Sequence, residues 1–248
     1  MKYLYFILIL ICCTGCQKHP LKLKKMQGDF TEAGIVNVSM NSSLPVFANP
    51  DDANPIDIIT FSKVLVGNDK GIVSINTSHF KDQFKPYQLS GGSSDREGED
   101  LINVGLGPWP ACLTFRVVTV TPQYFEVLLN DTTKETAYIK KEGRTVFNSQ
   151  DEFYSNGNGM QQKPLTDYFV FETWADYLKR CEYVLISNYD IYNAPNGTII
   201  QHITTDDNFK VVEVKGNWAQ VVRLGKPVWI LWRKNNSLNV QVIEYTVE

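Results

Sequence analysis

The chain has 248 residues, of which 43% are hydrophobic and 12% aromatic, as in a globular protein that can bury a core. Its formal net charge is −3, and no basic patch stands out beyond residue 28, which argues against nucleic acid as a partner. The G-x-S-x-G, H-E-x-x-H, P-loop and dinucleotide-binding motifs of common enzymes are absent from the sequence. We therefore expect no catalytic residues, no metal site and no cofactor.

The chain begins with the features of an export signal. Lys2 precedes an apolar segment, YLYFILILICC, at residues 3–13. This segment is too short to span a hydrocarbon layer of about 30 Å, so it is typical of a signal peptide. Cys13-Thr14-Gly15-Cys16 resembles the lipobox of bacterial lipoproteins, with cysteine where that motif usually has leucine. The resemblance implies a signal peptide at residues 1–15 and lipidation of Cys16; an ordinary signal peptide cut nearby is the alternative.

A lysine-rich segment follows the predicted cleavage point. Residues 17–28, QKHPLKLKKMQG, contain four lysines and no acidic residue, and they show no clean periodicity. Together with Cys16 they predict a flexible tether over residues 16–33, whose lysines either lie against anionic headgroups or are simply solvated. The expected location is the cell envelope, with the lipid anchor in a membrane. The uncharged Gln17 favours the outer membrane of a Gram-negative bacterium.

An internal repeat organises the rest of the chain. Residues 115–130, FRVVTVTPQYFEVLLN, align without a gap with residues 209–224, FKVVEVKGNWAQVVRL. Each copy has a β-branched strand, a short turn and a strand that opens with an aromatic residue, which predicts a β-hairpin. Two more pairs of segments match in the same order: 137–139 with 228–230, and 46–50 with 191–195. The sequence therefore predicts two copies of one β unit.

The second copy resembles the bacterial SH3-like domain, a small barrel of five or six strands that is common in exported proteins. Its opening turn is matched by residues 190–195, DIYNAP, and its W-x-x-V strand by residues 218–221, WAQV. Its closing G-W-V is matched by Val228-Trp229-Ile230, without the glycine. The first copy has Tyr124 and Tyr138 where the second has tryptophans, so the second copy is the better match.

The resemblance and the repeat together imply a mainly β fold with two small SH3-like barrels, at residues 34–143 and 182–248. The first barrel carries a long insertion at about residues 61–113. Inserted loops longer than about fifteen residues are usually functional or disordered. Residues 144–181 form the predicted linker, in which Thr173-Trp174-Ala175-Asp176 predicts a capping box that opens a short helix.

Aromatic residues are the candidate ligand contacts. Trp109 lies between two prolines of the insertion, so it is either an exposed contact or a plug over the barrel mouth. Trp218 and Trp229 match family positions that usually pack the barrel, so we expect them in the core. Trp232 lies three residues beyond Trp229 and faces the other way on a regular strand. Trp109, Trp232 and Tyr192 are therefore the predicted ligand-binding residues.

Two other groups of residues carry weaker signals. The acidic run at residues 95–100 could bind a hard cation, but it lacks the spacing of an EF-hand loop, which favours a solvated acidic loop. Cys112 and Cys181 remain after export and lipidation. They either form a disulfide or are two small buried thiols, and the second interpretation is favoured.

Three functions remain open. The first is a non-catalytic binding module of an envelope lipoprotein, which contacts cell-wall peptide, glycan or an envelope protein. The second is a structural or assembly protein, in which the 61–113 insertion docks a protein partner and no small ligand exists. The third is an enzyme, for which the sequence offers only scattered Cys, His and acidic residues. Resemblance at the level of the fold does not decide among them.

Overall fold

The computed structural model describes residues 23–39, 43–66, 70–77, 112–155 and 167–243. Strands account for 55% of the structure and helices for 8%, so the predicted mainly β fold is confirmed. The expected lipidation site Cys16, the acidic run at 95–100 and Trp109 lie outside the described residues. In the described ranges, no helix is both long enough and apolar enough to cross a bilayer.

The first half of the chain contains ten strands and two helices in its described part. The strands are β1 (Lys24–Lys25), β2 (Gly34–Ser39), β3 (Leu44–Val46), β4 (Asp57–Val66), β5 (Lys70–Asn76), β6 (Cys112–Val120), β7 (Tyr124–Asn130), β8 (Glu135–Lys140), β9 (Thr145–Phe147) and β10 (Tyr168–Thr173). The helices are α1 (Gln150–Ser155) and α2 (Trp174–Arg180). Seven strands form one sheet in the order β1-β8-β7-β6-β2-β10-β9, and β3-β4-β5 form a second sheet.

The second half is built from short antiparallel strands. They are β11 (Tyr183–Ile186), β12 (Tyr189–Tyr192), β13 (Ile199–Ile203), β14 (Asp207–Phe209), β15 (Val211–Lys215), β16 (Trp218–Arg223), β17 (Lys226–Leu231), β18 (Arg233–Lys234), β19 (Ser237–Leu238) and β20 (Gln241–Ile243). Five of them form a sheet in the order β13-β12-β17-β16-β15, three form β14-β11-β20, and β18 pairs with β19. None of these sheets closes into a barrel within the described residues, and the SH3-like resemblance stays a prediction.

The strand pairing shows the internal repeat. The hairpin β6–β7 has its bulge between Val117 and Thr119, and the hairpin β15–β16 has its bulge between the aligned residues Val211 and Glu213. The third strand of each copy also pairs at matching positions: Glu126 with Tyr138, and Gln220 with Trp229. Both predicted hairpins are therefore confirmed, and they share one register.

The segment expected to be a linker, residues 144–181, contributes to the first sheet. The predicted helix is present as α2, and the Thr173 side chain accepts a hydrogen bond from the Asp176 backbone N–H at 3.2 Å. The same segment supplies β9, α1 and β10, and β10 pairs with β2 along its length. A Cβ on Gly34 would lie 1.9 Å from the carbonyl oxygen of Glu172, so this close approach of the two strands requires glycine.

The two halves share one apolar core around α2. Trp174, Tyr177 and Leu178 of this helix pack with Ile35 of β2 and with the core residues of the second half. The core of the first half is a separate cluster that lies between the seven-stranded sheet and β3–β4. Helix α2 is therefore part of the second half's core, and a division of the chain at residue 182 would separate it from that core.

The segment expected to be a flexible tether is packed in its described part, residues 23–33. Leu23 belongs to the first core, and β1 pairs with β8. Asn236 of the second half donates to the carbonyl oxygen of Gly28 at 2.7 Å and accepts from the backbone N–H of Phe30 at 3.2 Å. The segment thus contacts both halves of the protein. These partners are far away in sequence, so the composition of residues 17–28 does not reveal the contacts.

Candidate binding site

Three aromatic side chains lie on the outer face of the five-stranded sheet, opposite its apolar core. Ala219 on β16 points into the core, so its neighbour Trp218 points outward. Trp229 on β17 and Tyr192 on β12 pair with each other and alternate with core residues in the same way. The rings of Tyr192 and Trp218 meet edge to face, with centroids 4.7 Å apart. We call Tyr192, Trp218 and Trp229 the second aromatic cluster.

Charged and polar groups surround the second aromatic cluster. The Lys215 ammonium lies 5.1 Å from the centre of the Trp229 ring and 2.9 Å from the Glu213 carboxylate. Tyr192 and Trp218 are half-buried, whereas Trp229 is only 6% exposed. Burial, together with the nearby Asp190 carboxylate, raises the pKa of Tyr192.

The first copy has an equivalent group of three, which we call the first aromatic cluster: Phe47, Tyr124 and Tyr138. Phe47 and Tyr138 exchange backbone hydrogen bonds of 3.0 and 2.9 Å, and this pairing matches that of Tyr192 with Trp229. The rings of Tyr124 and Tyr138 meet edge to face at 5.2 Å. All three residues lie outside the apolar core cluster of the first half, but Phe47 is buried, with 8% of its surface exposed, while Tyr124 and Tyr138 are half-buried. Both copies thus place three aromatic residues at matching positions of the outer face.

A cleft of about 1000 Å³ adjoins the first aromatic cluster and shares Tyr124 with it. It lies where three turns meet: the turn after Phe47, the β6–β7 turn and the segment that follows β8. Its walls include two prolines, one tyrosine and three cationic residues: Pro50, Pro122, Tyr124, Lys140, Lys141 and Arg144. The cleft therefore combines apolar surface with positive charge.

The cations of the cleft are held mainly by backbone carbonyl groups. Lys140 donates to the carbonyl oxygen of Asp52 at 2.7 Å, and its ammonium lies 4.3 Å from the Phe47 ring centre. Lys141 donates to the carbonyl oxygen of Thr121 at 2.5 Å. Arg144 donates to the carbonyl oxygen of Ser43 at 2.8 Å and has an acid, Asp167, at 3.6 Å. Burial lowers the pKa of both Lys141 and Arg144.

The structure separates the residues that were predicted to bind ligand. Tyr192 lies on the outer face, as a ligand contact requires. Trp232 is 1% exposed, packs on Trp174 with ring centres 5.1 Å apart, and donates its indole N–H to the carbonyl oxygen of Gly216 at 2.9 Å. Trp232 therefore lies in the shared core and offers no surface to a ligand. Trp109 is outside the described residues.

Trp218 and Trp229 were expected in the core. Trp229 is buried as expected, with 6% of its surface exposed, whereas Trp218 is half-buried on the outer face of the sheet. Alternation along a strand correctly indicates that Trp229 and Trp232 face opposite sides. It does not indicate which side is buried, because the period of two is the same for both faces. The alignment of the two copies identifies which aromatic residues are equivalent, since it pairs Tyr192 with Phe47, but it does not identify the face on which they lie. No sequence signal pointed to the cleft, because its cations come together only through folding.

Comparisons with protein-family models, with curated proteins and with solved structures find no match. In the described part of the chain, no group of three or more His, Cys, Asp or Glu side chains is placed to hold a metal ion. The aromatic clusters and the cleft are therefore the features from which a function can be inferred.

Proposed function

We propose that this chain is a non-catalytic binding module, anchored by lipid in the cell envelope, that contacts cell-wall material through its aromatic clusters. The observation that carries the proposal is that each copy presents two half-buried aromatic side chains at matching positions of its outer face, Tyr124 and Tyr138 in the first and Tyr192 and Trp218 in the second, beside a third that is buried. The outer face of an antiparallel sheet can be polar, so folding alone does not require aromatic residues there. Half-buried tyrosine and tryptophan offer a rigid apolar body and a polar tip, which suits contact with sugar rings or peptide.

The lipid anchor at Cys16 limits the distance between the folded protein and the membrane. Seven residue steps separate Cys16 from Leu23, the first residue that the structure describes. A fully extended chain covers at most about 3.6 Å per step, so the first core lies within roughly 25 Å of the lipidated residue. A module held this close to a membrane reaches cell-wall polymer only where the wall itself approaches that membrane. This favours a protein at the inner face of the outer membrane.

The anchor is tested by Cys16→Ala. Because the cysteine thiol is the group that receives the lipid, the variant should incorporate no acyl label and should keep its signal peptide. The measurement is uptake of labelled palmitate in expressing cells, with the intact mass of the purified protein as a second readout. Cys181→Ala is the matched control, since Cys181 is buried in the folded protein. A wild-type chain that takes up no palmitate would contradict the anchor.

Binding is tested by Trp218→Ala in the full-length chain, purified in detergent. Loss of a central aromatic contact typically costs about 2 kcal/mol or more, so binding to cell-wall sacculi should weaken at least about tenfold. The measurement is co-sedimentation with sacculi that have been boiled in detergent and are free of protein. Val222→Ala is the control, because Val222 is 52% exposed on the same face but outside the cluster.

The co-sedimentation assay also distinguishes cell-wall binding from the alternative function, that of an assembly protein that docks another protein. Ile199 and Ile200 lie on β13, an edge strand, and are 56% and 59% exposed, which favours a protein partner. Sedimentation with untreated envelopes, but not with protein-free sacculi, would favour the assembly role. A wild-type chain that sediments with neither, or an unchanged Trp218→Ala, would overturn cell-wall binding through the second aromatic cluster.

A further inference from the structure

The turn between β16 and β17 contains a residue that its backbone conformation disfavours. Leu224 has a φ of +50° and Gly225 a φ of +75°, and the flanking residues Arg223 and Lys226 pair with each other, as in a type I′ turn. Asparagine, aspartate and glycine are the preferred residues of such a turn. A leucine at positive φ is strained, because its Cβ approaches the following carbonyl oxygen.

The chain otherwise places asparagine at this backbone conformation. Within the described ranges, six residues other than glycine have a positive φ. Four of them are asparagines: Asn188, Asn196, Asn235 and Asn236. Asparagine tolerates a positive φ because its side chain can bond to the local backbone. Asn235-Asn236 joins β18 to β19 by the same kind of two-residue turn, whereas Leu224 is the only apolar residue of the six.

Packing within the protein does not compensate for the strain at Leu224. Its side chain is 89% exposed, the highest value among the exposed large hydrophobic residues of the described ranges. A leucine in the core gains free energy by leaving water, but this one stays in water. Neither the turn nor the core therefore explains a leucine at this position. Strained residues cluster at functional sites, so the strain points to a contact outside the chain.

Other exposed apolar side chains lie at the same end of the five-stranded sheet. Val222, two residues before Leu224, is 52% exposed, and Ile199 and Ile200 on β13 are 56% and 59% exposed. The Gln201 side chain, next to these isoleucines, accepts a hydrogen bond from Arg223 at 3.1 Å. This bond brings β13 close to the β16–β17 turn.

A cation adjoins the apolar residues of the turn. Arg223 lies 3.7 Å from the Asp207 carboxylate, so its charge is compensated within the fold. Lys226 is exposed and follows Gly225, which leaves it as the solvent-facing cation of this turn. The stem of a lysine can lie along an apolar surface while its ammonium reaches a polar layer. We call residues 222–227 the hairpin tip.

We propose that the hairpin tip contacts the surface of a phospholipid bilayer, with Leu224 inserted between headgroups and Lys226 at a lipid phosphate. The inference goes beyond cell-wall binding. It rests on one part of the proposed function, the lipid anchor, which keeps the chain at a membrane.

A lipid surface suits the tip better than a protein partner does. A two-residue turn is convex, so a protein would need a matching cavity, whereas headgroups move apart around a protruding side chain. A standard protein interface takes about 20–30 residues from each partner, far more than the tip offers. Apolar side chains beside a cation are also the pattern of segments that lie in the membrane interface.

The tip needs little affinity of its own, because the anchor already holds the chain beside the bilayer. Linking two contacts makes the second one intramolecular, with a high effective concentration. Burial of one leucine and attraction of one lysine to anionic lipid are then enough to favour one orientation. The tip thus sets the orientation of the protein, and the anchor sets its attachment.

Membrane contact at the tip leaves the second aromatic cluster accessible. Trp218 is the first residue of β16 and Leu224 follows the last, so six residue steps separate them. At about 3.3 Å per residue in a strand, they lie roughly 20 Å apart. The contact with the bilayer and the proposed contact with the cell wall therefore do not compete.

The test is lipid photo-crosslinking of the full-length chain, reconstituted through its anchor into vesicles of phosphatidylcholine and phosphatidylglycerol. One phospholipid carries a diazirine in its acyl chain, and mass spectrometry locates the crosslinks. Trypsin cleaves after Arg223 but not before Pro227, so the tip is read in the fragment 224–233. This fragment should be crosslinked in the wild type. Leu224→Asn should lower its crosslinking about tenfold, because the free energy of removing leucine from water is lost.

The melting temperature separates membrane contact from a role in folding. Asparagine adopts a positive φ more readily than leucine, so Leu224→Asn should leave the melting temperature unchanged or raise it. Val120→Asn is the control, because Val120 is 38% exposed in the first copy and lies outside the tip. It should leave crosslinking of the fragment 224–233 as in the wild type.

Three results would overturn the membrane contact. The first is a wild-type fragment 224–233 without crosslinks, and the second is equal crosslinking in Leu224→Asn. The third is a clear fall in the melting temperature of Leu224→Asn, since the fold would then require the leucine. A tip that is not crosslinked in vesicles but is protected from hydrogen exchange in untreated envelopes would identify a protein as its partner instead.

The two proposals fail in different experiments. If the wild type takes up no palmitate, the anchor is wrong, and the membrane contact that depends on it is wrong as well. If palmitate is taken up but the tip is not crosslinked, only the assignment of the tip is wrong. If the tip is crosslinked but the chain does not sediment with sacculi, the membrane contact stands and cell-wall binding is wrong.

Discussion

Glu32→Gln is expected to lower the free energy of unfolding by about 3–5 kcal/mol, because it removes the main countercharge of a buried arginine. The Glu32 carboxylate accepts the Nε–H of Arg116 at 2.8 Å and a second hydrogen bond from Nη2. The two side chains are 0% and 1% exposed, and a second arginine, Arg233, lies 3.6 Å from the same carboxylate. Glutamine keeps the shape of the side chain but leaves these two guanidinium groups with too little negative charge.

The measurement is urea unfolding of the full-length chain, with Glu213→Gln as the control. Glu213 pairs with Lys215 on the exposed surface, where the same chemical change should cost less than about 1 kcal/mol. Arg116 has one further acidic partner, Asp131, which is 34% exposed. If Glu32→Gln lowers the free energy of unfolding by less than about 1 kcal/mol, Asp131 alone compensates the charge of Arg116. The ion-pair network of Glu32, Arg116 and Arg233 then contributes less to stability than its burial implies.

The location of this network explains why its loss should affect the whole molecule. Glu32 lies just before β2, Arg116 lies on β6 of the first copy, and Arg233 lies on β18 of the second half. Arg116 also donates to the backbone carbonyl oxygen of Asn236 at 2.7 Å. The network therefore joins the N-terminal segment to both copies, next to the core that they share around α2. We expect a single unfolding transition in urea rather than one for each copy.

Local features of the fold could be predicted from the sequence. The hairpins at residues 115–130 and 209–224 follow from β-branched strands that flank a short turn, and their partners lie within about ten residues of each other. The cap of α2 follows from Thr173 and Asp176, which are three residues apart. In each case the interacting groups are close in sequence, so their spacing is sufficient to predict the contact.

Contacts between distant segments could not be predicted in this way. Strand β10, with the sequence YFVFET, is covered on both faces: Phe169 packs in the first core, and Val170 packs against Phe153 of α1. It therefore lacks the alternation that identifies a half-buried strand, and the sequence predicts a linker at these residues. The bond between Glu32 and Arg116 spans 84 residues, and no spacing rule connects two charges so far apart.

Only part of the candidate site could be predicted from the sequence. The alignment of the two copies pairs Tyr124 with Trp218 and Tyr138 with Trp229, and the structure places these pairs at equivalent positions. Membership of each cluster was therefore available from the sequence. The side of the sheet on which each cluster lies could not be predicted from the sequence, because burial depends on which face α2 covers. The cleft depends on three turns that meet only in the folded protein.

Trp232→Ala is expected to lower the free energy of unfolding by about 3–5 kcal/mol, as for other buried aromatic residues. The side chain is 1% exposed and packs on Trp174 at the centre of the shared core. Its indole N–H also donates to the carbonyl oxygen of Gly216, so the alanine variant leaves a cavity and a buried carbonyl group without this donor. Trp232→Phe keeps much of the volume and should cost less.

The measurement is the melting temperature together with sedimentation on protein-free sacculi, both compared with Trp218→Ala. Trp218 is half-buried on the outer face, so its loss should reduce binding and change the melting temperature much less. Trp232→Ala should do the opposite: the melting temperature falls, and the molecules that remain folded at low temperature bind as the wild type does. If Trp232→Ala removes binding at an unchanged melting temperature, Trp232 is the ligand contact that the sequence predicted, and its assignment to the core is wrong.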